Sequence, residues 1–230
     1  GGYDTKEIAD RLKAVFPNSK IIIVVREQQS MLLSTYRQYV RAGGARNLAG
    51  YFNPPERGSR RVPMFDPNYF QYDELIAYYQ SLFGNDNVLV LPYEWLRKKP
   101  QNYVSSILTF CGLNVAEKQI DELPFTQKVN RGYGRITLAL KRKYNRYFLA
   151  NGLNPGAPWG LPEGIERRVV RFLKRVDQLA PNSWQKAGER RLKNYIKKQT
   201  SGLYSESNFQ IEELSNLKLG DLGYEGGSSF

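Results

Sequence analysis

Five consecutive β-branched residues, Ile21 to Val25, constrain the fold of this chain more than any other feature. They lie in the run KIIIVVREQQSMLLSTYRQYVRAGG, Lys20 to Gly44. An apolar run without alternation predicts a strand buried on both faces over Lys20–Val25, as in a parallel sheet. The strand ends in Arg26, and an amphipathic helix is predicted from about Gln28 to Ala42, closed by Gly43-Gly44. Leu32, Leu33, Tyr36 and Val40 form the face expected to dock on the sheet. Ser30, Ser34, Arg37 and Arg41 fall along a single stripe of the same helix. Open parallel sheets bind ligands beyond the carboxyl ends of their strands, where Arg26 would project. A guanidinium there, beside the amide donors of a helix start, is suited to a phosphate. On spacing alone, a salt-bridging arginine and a solvated helix face fit as well.

The rest of the chain continues in the same manner. Ile8, Leu12, Val15 and Phe16 recur at helical intervals after a capping-box spacing at Asp4 and Glu7. Residues 45–65 are polar and rich in arginine (Arg46, Arg57, Arg60, Arg61), which predicts a long surface loop or lid. A helix is expected over Tyr69 to Phe83, a turn at Gly84-Asn85-Asp86-Asn87, and a short buried strand at Val88 to Leu91. After Pro92-Tyr93-Glu94-Trp95-Leu96, a further helix runs from Pro100 to about Cys111-Gly112. The order strand, helix, helix, strand, helix predicts an α/β fold with a parallel sheet flanked by helices. Helices are then expected near 132–149, 163–178, 185–199 and 203–214, with a frayed tail after Tyr224. A chain of 230 residues is expected to form one domain, α/β over 1–115 and mainly helical over 116–230.

Composition narrows the chemistry. A net charge of +12 favours anionic partners. Histidine is absent, which removes any histidine base or histidine metal ligand within the chain, and one cysteine makes a zinc site improbable. Cys111, inside an apolar stretch, is expected in the core. No apolar run is long enough to span a bilayer, and with a single cysteine this suggests a cytoplasmic location. Trp95, Trp159 and Trp184 are expected to serve packing, and Tyr51, Phe52 and Phe65 are candidates to line an acceptor pocket.

Lys20 to Arg41 resembles the 3′-phosphate-binding segment of sulfotransferases that use 3′-phosphoadenosine 5′-phosphosulfate (PAPS). In that family a strand ends in an arginine and a serine follows eight residues later; Arg26 and Ser34 occupy those positions. VLVLPYEWLRKKPQNYVSSILTFCGL, Val88 to Leu113, is similar to the family's strand, Tyr-Glu-Asp-Leu turn, proline and helix, with Trp95 in place of the usual Asp. SGLYSESNFQIEELSNLKLGDLGY, Ser201 to Tyr224, looks like the C-terminal helix of bacterial and glycan-type members. Leu192-Lys193-Asn194-Tyr195 is faintly similar to a late motif, without the Arg-Lys-Gly triplet expected before it.

The resemblance implies a P-loop-like sulfotransferase fold, a PAPS co-substrate with adenosine 3′,5′-bisphosphate as product, and no metal. It places Arg26 and Ser34 on the 3′-phosphate, Tyr93 near adenine, and Phe125 to Gly132 in a loop closing over the adenine, from which Lys128 or Arg131 would meet the 3′-phosphate; a solvated helix face is the alternative for Arg131, Arg135, Lys141, Arg142 and Lys143. The family's 5′-phosphosulfate loop and general base normally precede the Arg26 segment, and no GxxxxGK[ST] run occurs here. The catalytic residues are therefore expected upstream of Gly1 and unknown from this sequence. The acceptor would be a hydroxyl or amine compound, such as an acidic glycan, facing the basic loop 45–65. The alternatives are an ATP-dependent transferase of related fold and a non-catalytic protein binding a glycan or nucleic acid. The absence of any RNP-type motif or recognition helix disfavours nucleic acid.

Overall fold

In a computed structural model of the chain, the described residues are 5–53, 65–125, 133–149 and 181–228, together with short stretches between 153 and 175. They form an α/β arrangement that is rich in helix around a small parallel sheet. The chain divides into two compact units, each assembled from separated segments. Unit 1 comprises Gly1–Gln28, Asn68–Lys128 and Thr200–Phe230; unit 2 comprises Gln29–Pro67 and Val129–Gln199.

In unit 1, helix α1 (Thr5–Val15) leads to strand β1 (Ile21–Val25). After a 3-10 turn at Pro67–Phe70, helix α4 (Asp73–Phe83) ends at Gly84, whose φ of 85° is a left-handed value that glycine tolerates without a Cβ clash. Strand β2 (Val88–Pro92) then pairs with β1 in parallel, with Ile21 beside Val88 and Val25 beside Pro92. Helices α5 (Tyr93–Lys98), α6 (Pro100–Cys111) and α7 (Glu117–Asp121) follow, and α10 (Ser205–Ser215) returns late in the chain. The core joins Ile23 and Val25 of β1 and Val88 and Val90 of β2 to Ile76 and Phe83 of α4 and to Ile211, Leu219 and Tyr224. Full burial of a side chain such as Ile76 or Ile211 contributes about 1.5–3 kcal/mol.

Four expectations change here. β1 is not buried on both faces: Ile23 and Val25 point into the core, while Ile22 and Val24 are 39% and 48% exposed. Pleating sends alternate side chains to opposite faces, and among the described residues the α4 side of β1 is the better covered. β2 is the strand that meets the expectation, with Val88 and Val90 buried on one face and Leu91 on the other. Cys111 is exposed, because α6 turns Tyr103 inward and its last turn outward. The stretch expected as a turn at Tyr93 is the helix α5.

The fourth change concerns the tail. The Glu212 carboxylate accepts hydrogen bonds from the backbone amides of Leu219 and Ser228 and from the Ser228 hydroxyl. Residues up to Ser228 are thereby tied to α10 instead of fraying.

In unit 2, helix α2 continues to Arg41, having begun at Gln28. Leu32, Leu33, Tyr36 and Val40 are all buried, as an apolar helix face would be. The loop expected over 45–65 contains a short helix, α3 (Leu48–Phe52), because Asn47 caps it by accepting from the amide of Gly50. Arg57, Arg60 and Arg61 lie outside the described residues. Helices α8 (Arg135–Phe148) and α9 (Asn182–Gln199) pack together, and Arg37 of α2 pairs with Glu189 of α9 at 3.2 Å. Of the helix expected at 163–178, residues 168–172 are described and helical. No helix among the described residues is long and apolar enough to cross a membrane.

Candidate functional site

The parallel register dictates which residues meet at the carboxyl end of the sheet. Because Val25 lies beside Pro92, the next residues, Arg26-Glu27 and Tyr93-Glu94, leave the two strands together. The Arg26 guanidinium sits over the Tyr93 ring, 4.8 Å from its centroid. A cation over an aromatic face contributes about 0.5–2 kcal/mol, depending on desolvation. Stacking uses the guanidinium's face and leaves its N–H edge for an anion, the direction in which it makes bidentate bonds.

Glu94 fixes the turn between β1 and α2. One carboxylate oxygen accepts from the Glu27 amide at 3.1 Å, and the other accepts from the Tyr224 hydroxyl at 3.0 Å. A third tyrosine, Tyr72, completes the group. Burial raises the Tyr72 phenol well above its ordinary value; Arg26 pulls it down, and Glu94 and Glu27 push it up. Tyr224 is raised further, first by burial and then by the charge of Glu94. Both phenols therefore stay protonated through the neutral range, and that of Tyr224 donates to the carboxylate.

Immediately below this group, the buried Gln28 donates its amide to Asn208 Oδ1 at 2.6 Å. Asn208 Nδ2 in turn donates to the Glu225 carbonyl at 2.8 Å. The residue at which α2 begins is thus anchored to α10, across 180 positions of sequence.

Of the predicted site residues, Arg26 and Tyr93 come together in unit 1. Ser34 is a half-buried residue of α2 in unit 2. Lys128 and Arg131 lie outside the described residues. The residues that sequence reasoning missed are Glu94, Glu27, Tyr72 and Tyr224. Setting the two strand ends side by side would have drawn attention to Glu94, since Arg-Glu and Tyr-Glu follow them. Tyr72 and Tyr224 carried no local signal. A cleft of about 490 Å³ between α1 and α4 has Tyr72 of this group among its described lining residues.

Comparison with known proteins places this geometry in a family context. No curated protein matches the chain. The crystal structure of a sulfotransferase from Alicyclobacillus acidocaldarius is similar over 54% of this chain and 51% of that one, at 21% identity and a TM-score of 0.45. The chain thus spans about half the length of that protein. Residues 6–117 match the sulfotransferase family model, a stretch that takes in β1, Arg26, β2, Tyr93 and Glu94. That stretch, just under half of the chain, is what this chain shares with the sulfotransferase family model.

Proposed function

We propose that this chain is part of a PAPS-dependent sulfotransferase and that Arg26 holds the 3′-phosphate of the nucleotide. The observation that carries the reading is the Arg26–Tyr93 pair at the carboxyl ends of two parallel strands, within the stretch that matches the family. The donor set suits such a ligand: a guanidinium edge for a phosphate and an aromatic ring beside it for a purine. Tyr93 would contact adenine, and Glu94 would hold the turn that presents Arg26. The resemblance also assigns Ser34 to the 3′-phosphate and Lys128 or Arg131 to the loop over the nucleotide. When bound, PAPS supplies the activated sulfuryl group, and the acceptor would be a hydroxyl or amine compound.

Calorimetry with adenosine 3′,5′-bisphosphate and ATP tests this reading. Tighter binding of the 3′-phosphorylated nucleotide supports it. Equal or stronger binding of ATP would favour an ATP-dependent transferase instead. Affinity that falls steeply with salt for any polyanion, with no preference for a nucleotide, would favour a non-catalytic binding protein.

A further inference from the structure

We infer that unit 2 contains a separate pocket for a sulfate or phosphate monoester, lined by Arg46, Arg142 and Arg146. The pocket measures about 380 Å³, and Arg46, Asn47, Arg142, Arg146 and Asn154 supply its polar lining. No Asp or Glu is among its described lining residues. None of the three arginines has a carboxylate within ion-pairing distance among the described residues. Like charges gathered with no counter-charge among the described residues raise the free energy of the empty pocket, and a bound anion relieves it.

The arginines arrive on a built scaffold. Arg142 and Arg146 are one turn apart on α8, and Arg46 approaches from the turn that follows α2. Tyr36 ties the two sides together: its hydroxyl donates to the Arg46 carbonyl at 3.3 Å and accepts from Arg142 Nη1 at 3.4 Å. The Arg46 amide donates to the Tyr39 hydroxyl at 3.2 Å. Asn145, fully buried on α8, donates to the carbonyls of Val40 and Gly44 at 2.7 and 2.8 Å and so holds the turn against the helix. Asn154 donates to the Asn145 and Leu149 carbonyls and closes the end of α8.

The arrangement selects the ligand class. Guanidinium forks from two directions suit oxygens spread over a tetrahedron, whereas a planar carboxylate is satisfied by one fork. The pocket opens to solvent, and its volume leaves room beside the anion for the polar body of an ester. The ligand is therefore a sulfate or phosphate ester carried on a larger polar molecule such as a sugar. This site stands independently of the nucleotide reading.

The test is calorimetric titration with glucose 6-sulfate and with inorganic sulfate at constant ionic strength. The expected result is saturable binding of the ester, tighter than that of the free ion. Arg46→Gln and Arg146→Gln should each weaken it about 10-fold. Arg26→Ala, and Lys118→Gln as a control for net charge, should leave it unchanged within about twofold. Among the described residues the Arg46 and Arg146 side chains make no hydrogen bond, so the two variants should melt like the parent. Absence of saturable binding would overturn the proposal, as would equal affinity for the ion and the ester. Equal losses in Lys118→Gln would reduce it to a general charge effect, and loss in Arg26→Ala would move the binding to the strand ends.

Discussion

Arg26 lies over the ring of Tyr93 because Val25 and Pro92 are partners in a parallel ladder, so that two residues 67 positions apart leave the sheet at one point. The same register brings Glu27 to Glu94, whose carboxylate then reaches the Tyr224 hydroxyl. The N–H edge of the Arg26 guanidinium thus stands beside a ring on one side and a hydrogen-bonded turn on the other.

Glu94→Ala should destabilise the protein by about 2–3 kcal/mol, since it leaves the Glu27 amide and the buried Tyr224 hydroxyl without their acceptor. Glu94→Gln, which keeps an acceptor oxygen, should recover most of that loss in urea denaturation. Nucleotide affinity should fall in Glu94→Ala by more than in Glu94→Gln. Identical affinities in the two variants would show that Glu94 does not position Arg26.

Stability should decline at alkaline pH. Tyr72 and Tyr224 have phenols raised above the ordinary value of 10.0, so above that pH the unfolded chain releases protons that the folded chain retains. The contribution is present below pH 10 and is lost progressively as pH rises towards the folded values. Urea midpoints between pH 8 and pH 11 should fall, and Tyr224→Phe should flatten the slope. A slope that stays unchanged in Tyr224→Phe would contradict the assignment.

Glu212 gives the opposite dependence. Burial pushes its carboxyl upward, but the amides of Leu219 and Ser228 and the Ser228 hydroxyl outweigh that and hold it below its usual value of 4.5. Its contribution is present above that pH and is lost as pH falls through the folded value. Glu212→Gln should weaken the acid dependence of thermal unfolding and increase proteolysis after Tyr224. An unchanged cleavage rate there would mean that the carboxylate does not tether the tail.

Much of this arrangement was legible in the sequence, and the limits have physical causes. Local patterns carried the two strands, helices α1, α2, α4 and α6, and the parallel pairing, because periodicity and turn chemistry act over a few residues. Arg26 and Tyr93 were legible through resemblance, and their contact follows from the register. Exposure was read less well: Ile22, Val24 and Cys111 sit in apolar stretches, yet what covers them is decided by distant segments. The Gln28–Asn208 pair and the Glu94–Tyr224 bond join residues 180 and 130 positions apart, so no window of sequence could announce them. The interleaving of segments in the two units was hidden for the same reason.

Asn145→Ala should cost about 1–3 kcal/mol, since the carbonyls of Val40 and Gly44 lose a buried donor. Hydrogen exchange should quicken in residues 42–47 ahead of the rest of unit 2. Uniform quickening would show instead that the asparagine supports the unit as a whole.

The central claim is that Arg26 binds the 3′-phosphate. Calorimetry of adenosine 3′,5′-bisphosphate and adenosine 5′-phosphate against the protein in its full encoded form and its Arg26→Ala variant tests it most directly. Removal of one charge-assisted phosphate contact should weaken the bisphosphate by roughly 10- to 150-fold and leave the 5′-phosphate nearly unaffected. Equal losses for both nucleotides, or no loss for either, would contradict the account.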